Sequence, residues 1–253
     1  MIKLQAVTKT SSFYPPHIVM LGPFPRKGDR GIAISKMLVG LSAVAAVAVP
    51  NVKLNNGVEM PMISLGTWQY NPDVAHDVVK LGLSLGFNHI DTANNYRNQE
   101  GVGKALAGIN RTSYFLTTKV PSQTSAATAY AATTKDLNDD IEQLGLPFVD
   151  LMLVHFPPRG NTLHCGAMQE QWRAMEDFYK AKKARAIGVS NYCPSSFECI
   201  MKVANVTPAV NQVEYHSKCR VATAQIHRKS CGPRSHSFLS PVFILFDRSR
   251  HER

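Results

Sequence analysis

The chain has 253 residues, enough for one α/β barrel or two small domains, and its 44% hydrophobic content is ample for a globular core. The net charge of +10 resides at the two ends: residues 1–36 contribute +5 and residues 217–253 contribute +6, which leaves the centre at about −1. A nucleic-acid-binding protein normally carries its basic stripe on the folded domain, so this distribution argues against nucleic acid as a partner and predicts solvated, poorly ordered tails. A weak contact of the tails with anionic membrane or nucleic acid is the alternative, and it would require steeply salt-dependent affinity in the isolated tails.

An apolar run at residues 37–49 follows four basic residues and ends in an Ala46-Val-Ala48 pattern before Pro50. It is too short to span a bilayer comfortably and is typical of a secretory signal segment with its cleavage site. We therefore expect residues 1–50 to be an N-terminal extension, the processed protein to begin at Val49 or Pro50, and the protein to enter the secretory pathway. The alternatives are an apolar helix packed outside the fold or an upstream extension carried by a wrong start codon, with a cytoplasmic protein.

The folded domain is predicted to begin with a hairpin, because the turn-forming pair Asn56-Gly57 separates two short alternating stretches. Short apolar runs then alternate with amphipathic stretches, the pattern of repeated βα units in a parallel sheet. The six predicted strands are 63–66, 89–91, 115–119, 150–155, 186–189 and 209–213. The predicted helices are 73–85, with part of its apolar face supplied by Val78, Val79, Leu81, Leu83 and Leu85, then 101–106, 126–144, 166–180 and 194–203. These elements predict a (β/α)₈ TIM barrel of which about six of the eight units are recognisable.

Seven polar residues fall at or just beyond the carboxyl ends of these strands, where the working face of such a barrel lies. They are Asp91, Tyr96, Lys119, His155, Ser190, Asn191 and Gln212. Taken singly, each has an ordinary structural explanation, such as a helix cap for Asp91 or a hydrogen-bonded core histidine for His155. Their common depth in the predicted barrel favours a shared site.

The motifs that carry these residues strongly resemble the aldo-keto reductases from Val52 to His216. The matching segments are Ile63-Ser-Leu-Gly-Thr-Trp68, residues 86–106 with Asp91 and Tyr96, Phe115-Leu-Thr-Thr-Lys119-Val, Leu151-Met-Leu-Val-His155-Phe-Pro, Ala186-Ile-Gly-Val-Ser190-Asn191-Tyr and Asn211-Gln212-Val-Glu-Tyr-His216. The resemblance implies an NADP-dependent oxidoreductase that reduces aldehydes or ketones to alcohols, with a small-molecule carbonyl substrate. We also expect no stable membrane span and a monomeric protein.

Tyr96 is the predicted proton donor. A phenol is a weak acid near neutral pH, so a neighbouring Lys119 ammonium is expected to bring the pKa of Tyr96 closer to the working range. Asp91 would keep Lys119 charged and oriented, and His155 would hydrogen-bond the substrate oxygen.

The resemblance further implies that Ser190, Asn191 and Gln212 hold the nicotinamide carboxamide of NADPH, with Asp91 also near its ribose. It makes Trp68 an apolar wall of the substrate pocket, with ordinary core packing as the alternative. Gly101 and Gly103 lie within a predicted helix and do not form a Gly-x-Gly-x-x-Gly motif, so they indicate close helix packing.

After His216 the resemblance stops, and the two further strand-helix units of the family, including its phosphate-binding loop and the segment that holds the 2′-phosphate, are not recognisable. We therefore expect a partial barrel over residues 51–216 and a divergent basic tail over residues 217–253, as in a truncated or mis-spliced product. An apolar run at Pro241-Val-Phe-Ile-Leu-Phe246 has strand length and could shield an open sheet edge. A catalytically inactive barrel fragment with a binding or regulatory role is the alternative function.

The five cysteines have no spacing typical of metal ligation, so no metal is expected. They are Cys165, Cys193, Cys199, Cys219 and Cys231. Their odd number argues against a full disulfide framework but leaves room for one bridge in an oxidising compartment.

Overall fold

The computed structural model describes residues 3–8, 50–159, 163–213 and 242–246, all within one compact unit. The described residues form ten strands: β1 (Lys3–Thr8), β2 (Asn51–Lys53), β3 (Glu59–Pro61), β4 (Ile63–Gly66), β5 (His89–Asp91), β6 (Phe115–Val120), β7 (Val149–Val154), β8 (Ala184–Ser190), β9 (Val210–Gln212) and β10 (Val242–Phe246). Strands β4 to β9 run parallel and pair in chain order, which confirms the six predicted strands. Every residue of β5, β6, β7 and β9 is buried, as expected where helices cover a parallel sheet.

Five helices alternate with these strands: α1 (Pro72–Ser84), α2 (Gln99–Leu106), α3 (Ala126–Leu144), α4 (Cys165–Lys180) and α5 (Pro194–Met201). Helix α1 begins where the Asn71 side chain accepts a hydrogen bond from the Val74 amide at 2.9 Å, with Pro72 in the first turn. Helix α3 ends at Gly145, whose φ of +62° is left-handed and favours glycine. The predicted helices are therefore confirmed to within a few residues at each end.

Two strands from the ends of the chain close the sheet into an eight-stranded barrel. Strand β10 pairs parallel with β9, and β1 pairs antiparallel with both β10 and β4. The two edge strands of the predicted six-stranded partial barrel, β4 and β9, are therefore both paired with a further strand. The expectation of unstructured tails is wrong for residues 3–8 and 242–246, which form these closing strands. The apolar run at 37–49 and the remainder of both tails lie outside the described residues.

The predicted hairpin is present as β2 and β3, and it covers the amino-terminal end of the barrel. Val52, Leu54 and Met60 are buried against a cluster that includes Phe115 and Leu151. Side chains of the hairpin loop donate hydrogen bonds to backbone carbonyls of later segments of the barrel. Asn56 Nδ2, for example, donates to the carbonyl oxygen of Arg185 in β8 at 2.9 Å. With this end of the barrel closed by packing, the opposite end is the one available for a site.

The packing of α1 differs from the prediction. Leu81 and Leu85, assigned to the apolar face, are 41% and 57% exposed, whereas Val79 and Gly82 are buried. The reason is Gly82: a Cβ at this position would lie 2.5 Å from Leu65 Cδ2, so the helix approaches the sheet through the residue without a side chain. The close approach turns the larger neighbours outward.

Cys165 and Cys199 form a disulfide, with Cα atoms 5.2 Å apart. It ties the start of α4 to α5 and is a single bridge of the kind that the cysteine count left open. Among the described residues Cys193 is a free thiol. No helix in the described part of the chain is long and apolar enough to cross a membrane.

Candidate active site

The carboxyl ends of the parallel strands bring the predicted site residues together. Asp91, Ser190 and Gln212 are the last residues of β5, β8 and β9, Lys119 is the penultimate residue of β6, and His155 directly follows β7. Tyr96 lies at the end of a 3-10 turn, Asn94–Tyr96, which follows β5. Parallel strands in register end at one edge of the sheet, so residues far apart in sequence become neighbours.

Lys119 is at the centre of the site. Its Nζ lies 2.5 Å from Asp91 Oδ1, 2.9 Å from the Thr92 carbonyl oxygen and 3.4 Å from Tyr96 Oη. Lys119 and Asp91 are both fully buried, and a buried ion pair of this kind needs such additional hydrogen bonds to offset its desolvation. The ammonium therefore faces both a carboxylate and the phenol.

Gln212, the last residue of β9, is hydrogen-bonded to this ion pair. Its Nε2 donates to Asp91 Oδ2 at 2.9 Å, so both Asp91 oxygens have a partner. Its Oε1 is buried and has no hydrogen-bond partner among the described residues. A buried amide oxygen left in this state is an acceptor that a ligand could satisfy.

Ser190 and Asn191 form the adjoining wall. Ser190 Oγ donates to the Gln212 carbonyl oxygen at 2.8 Å, and Asn191 Nδ2 donates to the His155 carbonyl oxygen and to Ser190 Oγ, both at 3.0 Å. Asn191 adopts a left-handed φ of +61°, a conformation that asparagine tolerates better than most residues. The backbone turn at the end of β8 thus places this side chain between β7 and β9.

His155 is buried and its ring contacts the Tyr96 ring edge-on, with 5.5 Å between centroids. Burial, with a smaller contribution from the Lys119 charge, lowers the pKa of His155 to about 3. The imidazole is therefore neutral at physiological pH and carries one N–H. Its Nδ1 has no hydrogen-bond partner in the described structure.

Lys119 lowers the pKa of Tyr96 as predicted, but the pKa is not brought closer to the working range, because burial outweighs the Lys119 charge. Burial raises the pKa of Tyr96, the Lys119 charge opposes this, and the Asp91 carboxylate adds to the rise, so the pKa is raised overall. Asp91 lies closer to Lys119 than Tyr96 does and neutralises much of its field. For Lys119, burial lowers the pKa but Asp91 and Tyr96 raise it by more, so the ammonium stays charged.

Trp68 follows β4 by two residues and is 36% exposed. Ordinary core packing does not account for a tryptophan with this exposure. It lies on the same end of the barrel as the other site residues, which fits the pocket wall that the resemblance implies.

Gly101 and Gly103 lie outside this site. A Cβ at Gly101 would be 2.0 Å from the Pro72 carbonyl oxygen, and a Cβ at Gly103 would be 2.5 Å from the Leu144 carbonyl oxygen. These short distances confirm the close helix packing predicted for both glycines.

Sequence reasoning missed a second set of buried polar residues beside the site. Asp140 on α3 accepts hydrogen bonds from Asn94 and Gln99, and Thr118 donates to Gln99. One signal was available: Asp140 occupies the apolar stripe of α3, whose other buried members are Ala129, Thr133, Leu137 and Leu144. A carboxylate at that spacing is seldom accidental, because burial without partners is unfavourable.

The fold and the clustered site define a barrel of the aldo-keto reductase type, and the comparison with known proteins agrees. The family model described as the Aldo/keto reductase family matches residues 62–228, well over half the chain, and extends beyond His216, where the recognisable motifs end. The chain belongs to this family.

The chain is similar to several characterised relatives over part of their length. It is 39% identical to glyoxal reductase of Bacillus subtilis over 170 residues, which are 66% of this chain and 58% of that protein. It is 36% identical to 9,11-endoperoxide prostaglandin H2 reductase of Trypanosoma cruzi over 168 residues, 65% of this chain and 56% of that one. A crystal structure of an aldo/keto reductase from Brucella melitensis matches with a TM-score of 0.61 and 36% identity, covering 72% of this chain and 69% of that one. The chain thus spans less than two thirds of the length of these two reductases.

Proposed function

We propose that this chain reduces aldehydes or ketones to alcohols with NADPH, and that Tyr96 is the proton donor. The observation that carries the proposal is the Tyr96 hydroxyl, 3.4 Å from a buried Lys119 ammonium and beside a neutral His155. These groups are the parts that carbonyl reduction requires of the protein: a proton source, a charge that stabilises the phenolate left behind, and a neutral hydrogen-bond donor.

NADPH, when bound, supplies the hydride that adds to the carbonyl carbon. As that bond forms, the carbonyl π electrons move to oxygen, and Tyr96 Oη gives its proton to this oxygen. The phenolate that results lies beside Lys119, which stays positively charged through Asp91. Because burial keeps the pKa of Tyr96 high, the phenol is protonated at neutral pH and ready to act as an acid.

His155 and Trp68 would orient the substrate. The neutral imidazole has one N–H to donate to the carbonyl oxygen without competing for its proton. Trp68, partly exposed at the mouth of the site, would cover the apolar part of the substrate.

The residues present fit a nicotinamide. The unpaired Gln212 Oε1 is a buried acceptor suited to a carboxamide N–H, and Asn191 and Ser190 lie beside it. Asp91, already bonded to Gln212 and Lys119, is the residue that the family resemblance would place near the cofactor ribose. The choice of NADPH over NADH rests on the family resemblance.

The names of the relatives support the substrate class. They include a glyoxal reductase and a D-galacturonate reductase, which act on carbonyl compounds, and a morphine 6-dehydrogenase, which points to the reverse oxidation of an alcohol. Reduction of a carbonyl and oxidation of the corresponding alcohol use the same groups in opposite directions.

Cofactor binding gives a direct test of the nicotinamide site. Gln212→Leu removes the buried acceptor and the bond to Asp91, so we expect the Kd for NADPH, followed by cofactor fluorescence, to rise about tenfold. Gln169→Leu on α4, whose amide donates to the Cys199 carbonyl oxygen away from the site, is the matched control and should bind as the parent does. An unchanged Kd in Gln212→Leu would contradict the proposed site.

The second candidate is a catalytically inactive barrel with a binding role. Co-purification of a protein partner, together with a failure to oxidise NADPH in the presence of aldehyde, would support this alternative over the reductase.

A further inference from the structure

The turn that carries Tyr96 has few contacts of its own. Asn94–Tyr96 is a single 3-10 turn in which no residue is fully buried, and its cap residue Ala93 makes no side-chain capping bond. Two backbone hydrogen bonds hold it, from Tyr96 N to the Ala93 oxygen and from Arg97 N to the Asn94 oxygen. Because so short a turn is weakly determined by itself, its position depends on neighbouring elements.

Asp140 on α3 supplies such a contact. Its Oδ1 accepts hydrogen bonds from Asn94 Nδ2 and from Gln99 Nε2, both at 2.7 Å. The residue is fully buried, and its Oδ2 has no hydrogen-bond partner among the described residues. Leaving a buried carboxylate oxygen unpaired opposes folding, so packing alone does not account for an aspartate here.

Gln99 extends this connection to the strand that carries Lys119. Gln99 Oε1 accepts a hydrogen bond from Thr118 Oγ1 at 2.5 Å, and Thr118 precedes Lys119 in β6. One carboxylate oxygen therefore joins the Tyr96 turn, through Asn94, to the Lys119 strand, through Gln99. The turn and the strand joined in this way carry Tyr96 Oη and Lys119 Nζ, which lie 3.4 Å apart.

We infer that Asp140 is a positioning residue that holds Tyr96 against Lys119; this rests on the proposed function, in which Tyr96 gives the proton. Asp140 acts through Asn94 and Gln99 and has no bond to the site residues themselves. A displacement of about 1 Å in a reacting group lowers rates by up to about 100-fold, so loss of this support should slow the reaction. The hydrogen bonds of Ser190, Asn191 and Gln212 are separate from this network, so cofactor affinity should be preserved.

Four variants of the full chain separate positioning from general stability. Asp140→Ala removes the acceptor, and Asn94→Ala removes the donor at a half-buried position where little packing is lost. Asp140→Asn keeps a carbonyl oxygen that can accept both bonds, and Asp139→Ala changes the neighbouring carboxylate, which pairs with Lys135. The first two should lower the single-turnover rate of NADPH oxidation with an aromatic aldehyde about tenfold. The other two should stay near the parent, and the Kd for NADPH should change by less than about twofold in all four.

A second readout does not need turnover. NMR titration of the chain labelled with [¹³Cζ]tyrosine, with Tyr96→Phe to assign the signal, reports the pKa of Tyr96. Because the Lys119 charge lowers that pKa, moving the phenol away from Lys119 in Asp140→Ala or Asn94→Ala should raise it above the parent value. Asp139→Ala should leave it unchanged.

The two readouts distinguish the possible failures. If the parent does not oxidise NADPH, the proposed function fails, and the Tyr96 titration alone decides the inference: a raised pKa supports positioning and an unchanged one overturns it. If the parent is active, an unchanged rate and pKa in both Asp140→Ala and Asn94→Ala overturns it. So does a rate loss matched by an equal loss of cofactor affinity, since that pattern indicates general damage to the fold.

Discussion

Lys119 and Asp91 are each other's counter-ion in a position with no access to solvent. Replacing one partner leaves the other charge buried and unpaired, which typically destabilises a protein by about 3–5 kcal/mol. We expect Lys119→Met to lower the free energy of unfolding in urea by this amount, because Gln212 alone cannot compensate the carboxylate. The double variant Asp91→Asn/Lys119→Met should recover most of the loss. A single variant as stable as the parent would contradict the buried ion pair.

Asp140 gives a pH-dependent prediction of definite sign. Burial raises the pKa of Asp140 from 3.8 to about 7, the Asn94 and Gln99 hydrogen bonds oppose the rise, and Asp136 and Asp139 add to it. Between these values the folded protein holds a proton that the unfolded chain releases, so stability falls as the pH rises from about 4 to about 7, by about 1.4 kcal/mol per pKa unit. The free energy of unfolding of Asp140→Asn, relative to that of the parent, should therefore increase as the pH rises from about 4 to about 7. A pH-independent difference between the two proteins would contradict the buried carboxylate.

Residue types and spacing were enough to predict which side chains gather at the site, but not their electrostatics. Asp91, Tyr96, Lys119 and His155 could be assigned from strand ends, because parallel strands end together. The raised pKa of Tyr96 could not be predicted from the sequence, because it depends on how far burial outweighs the Lys119 charge 3.4 Å away. Asp140 was missed because its partners, Asn94 and Gln99, lie more than forty residues away in sequence.

At the level of helices, close packing depends on glycine. Gly101 in α2 has no room for a side chain, because a Cβ would lie 2.0 Å from the backbone oxygen of Pro72 at the start of α1. We expect Gly101→Ala to lower the free energy of unfolding by about 1–3 kcal/mol or more, as overpacking does elsewhere.

Gly166→Ala is the matched comparison, since its added Cβ would meet only the Ala126 side chain at 3.2 Å. Thermal unfolding of both variants measures the difference. If Gly101→Ala were as stable as Gly166→Ala, the contact between α1 and α2 would be looser than the structure shows.

Element boundaries followed from the sequence because local signals coincide. Apolar runs of strand length and the amphipathic stretches between them placed most strands and helices to within one or two residues. The buried face of α1 was predicted wrongly at Leu81 and Leu85. Hydrophobic periodicity considers only the polarity of side chains. The contact of α1 with the sheet at Gly82 depends instead on the absence of a side chain there.

In the molecule as a whole, closure of the barrel could not be derived from motifs. Strand β1 precedes the recognisable domain and runs antiparallel to both of its neighbours, so it is not part of the repeated parallel pattern that predicts the other strands. Strand β10 follows a long interval without strand or helix signals, and only its apolar composition suggested a strand. Pairing between segments so distant in sequence is decided by the open edges that β4 and β9 present.

We propose that this chain, although it spans less than two thirds of the length of relatives such as glyoxal reductase, reduces carbonyl compounds through Tyr96. The most direct test is aldehyde-dependent oxidation of NADPH by the purified chain, by Tyr96→Phe, and by Tyr130→Phe, which alters an exposed tyrosine bonded to Asp177 on the outer helices. We expect turnover by the parent and by Tyr130→Phe, and a loss of at least about 100-fold in Tyr96→Phe with cofactor binding retained. Absence of turnover in a folded, NADPH-binding parent, or unimpaired turnover in Tyr96→Phe, would show that Tyr96 is not the proton donor of a carbonyl reductase.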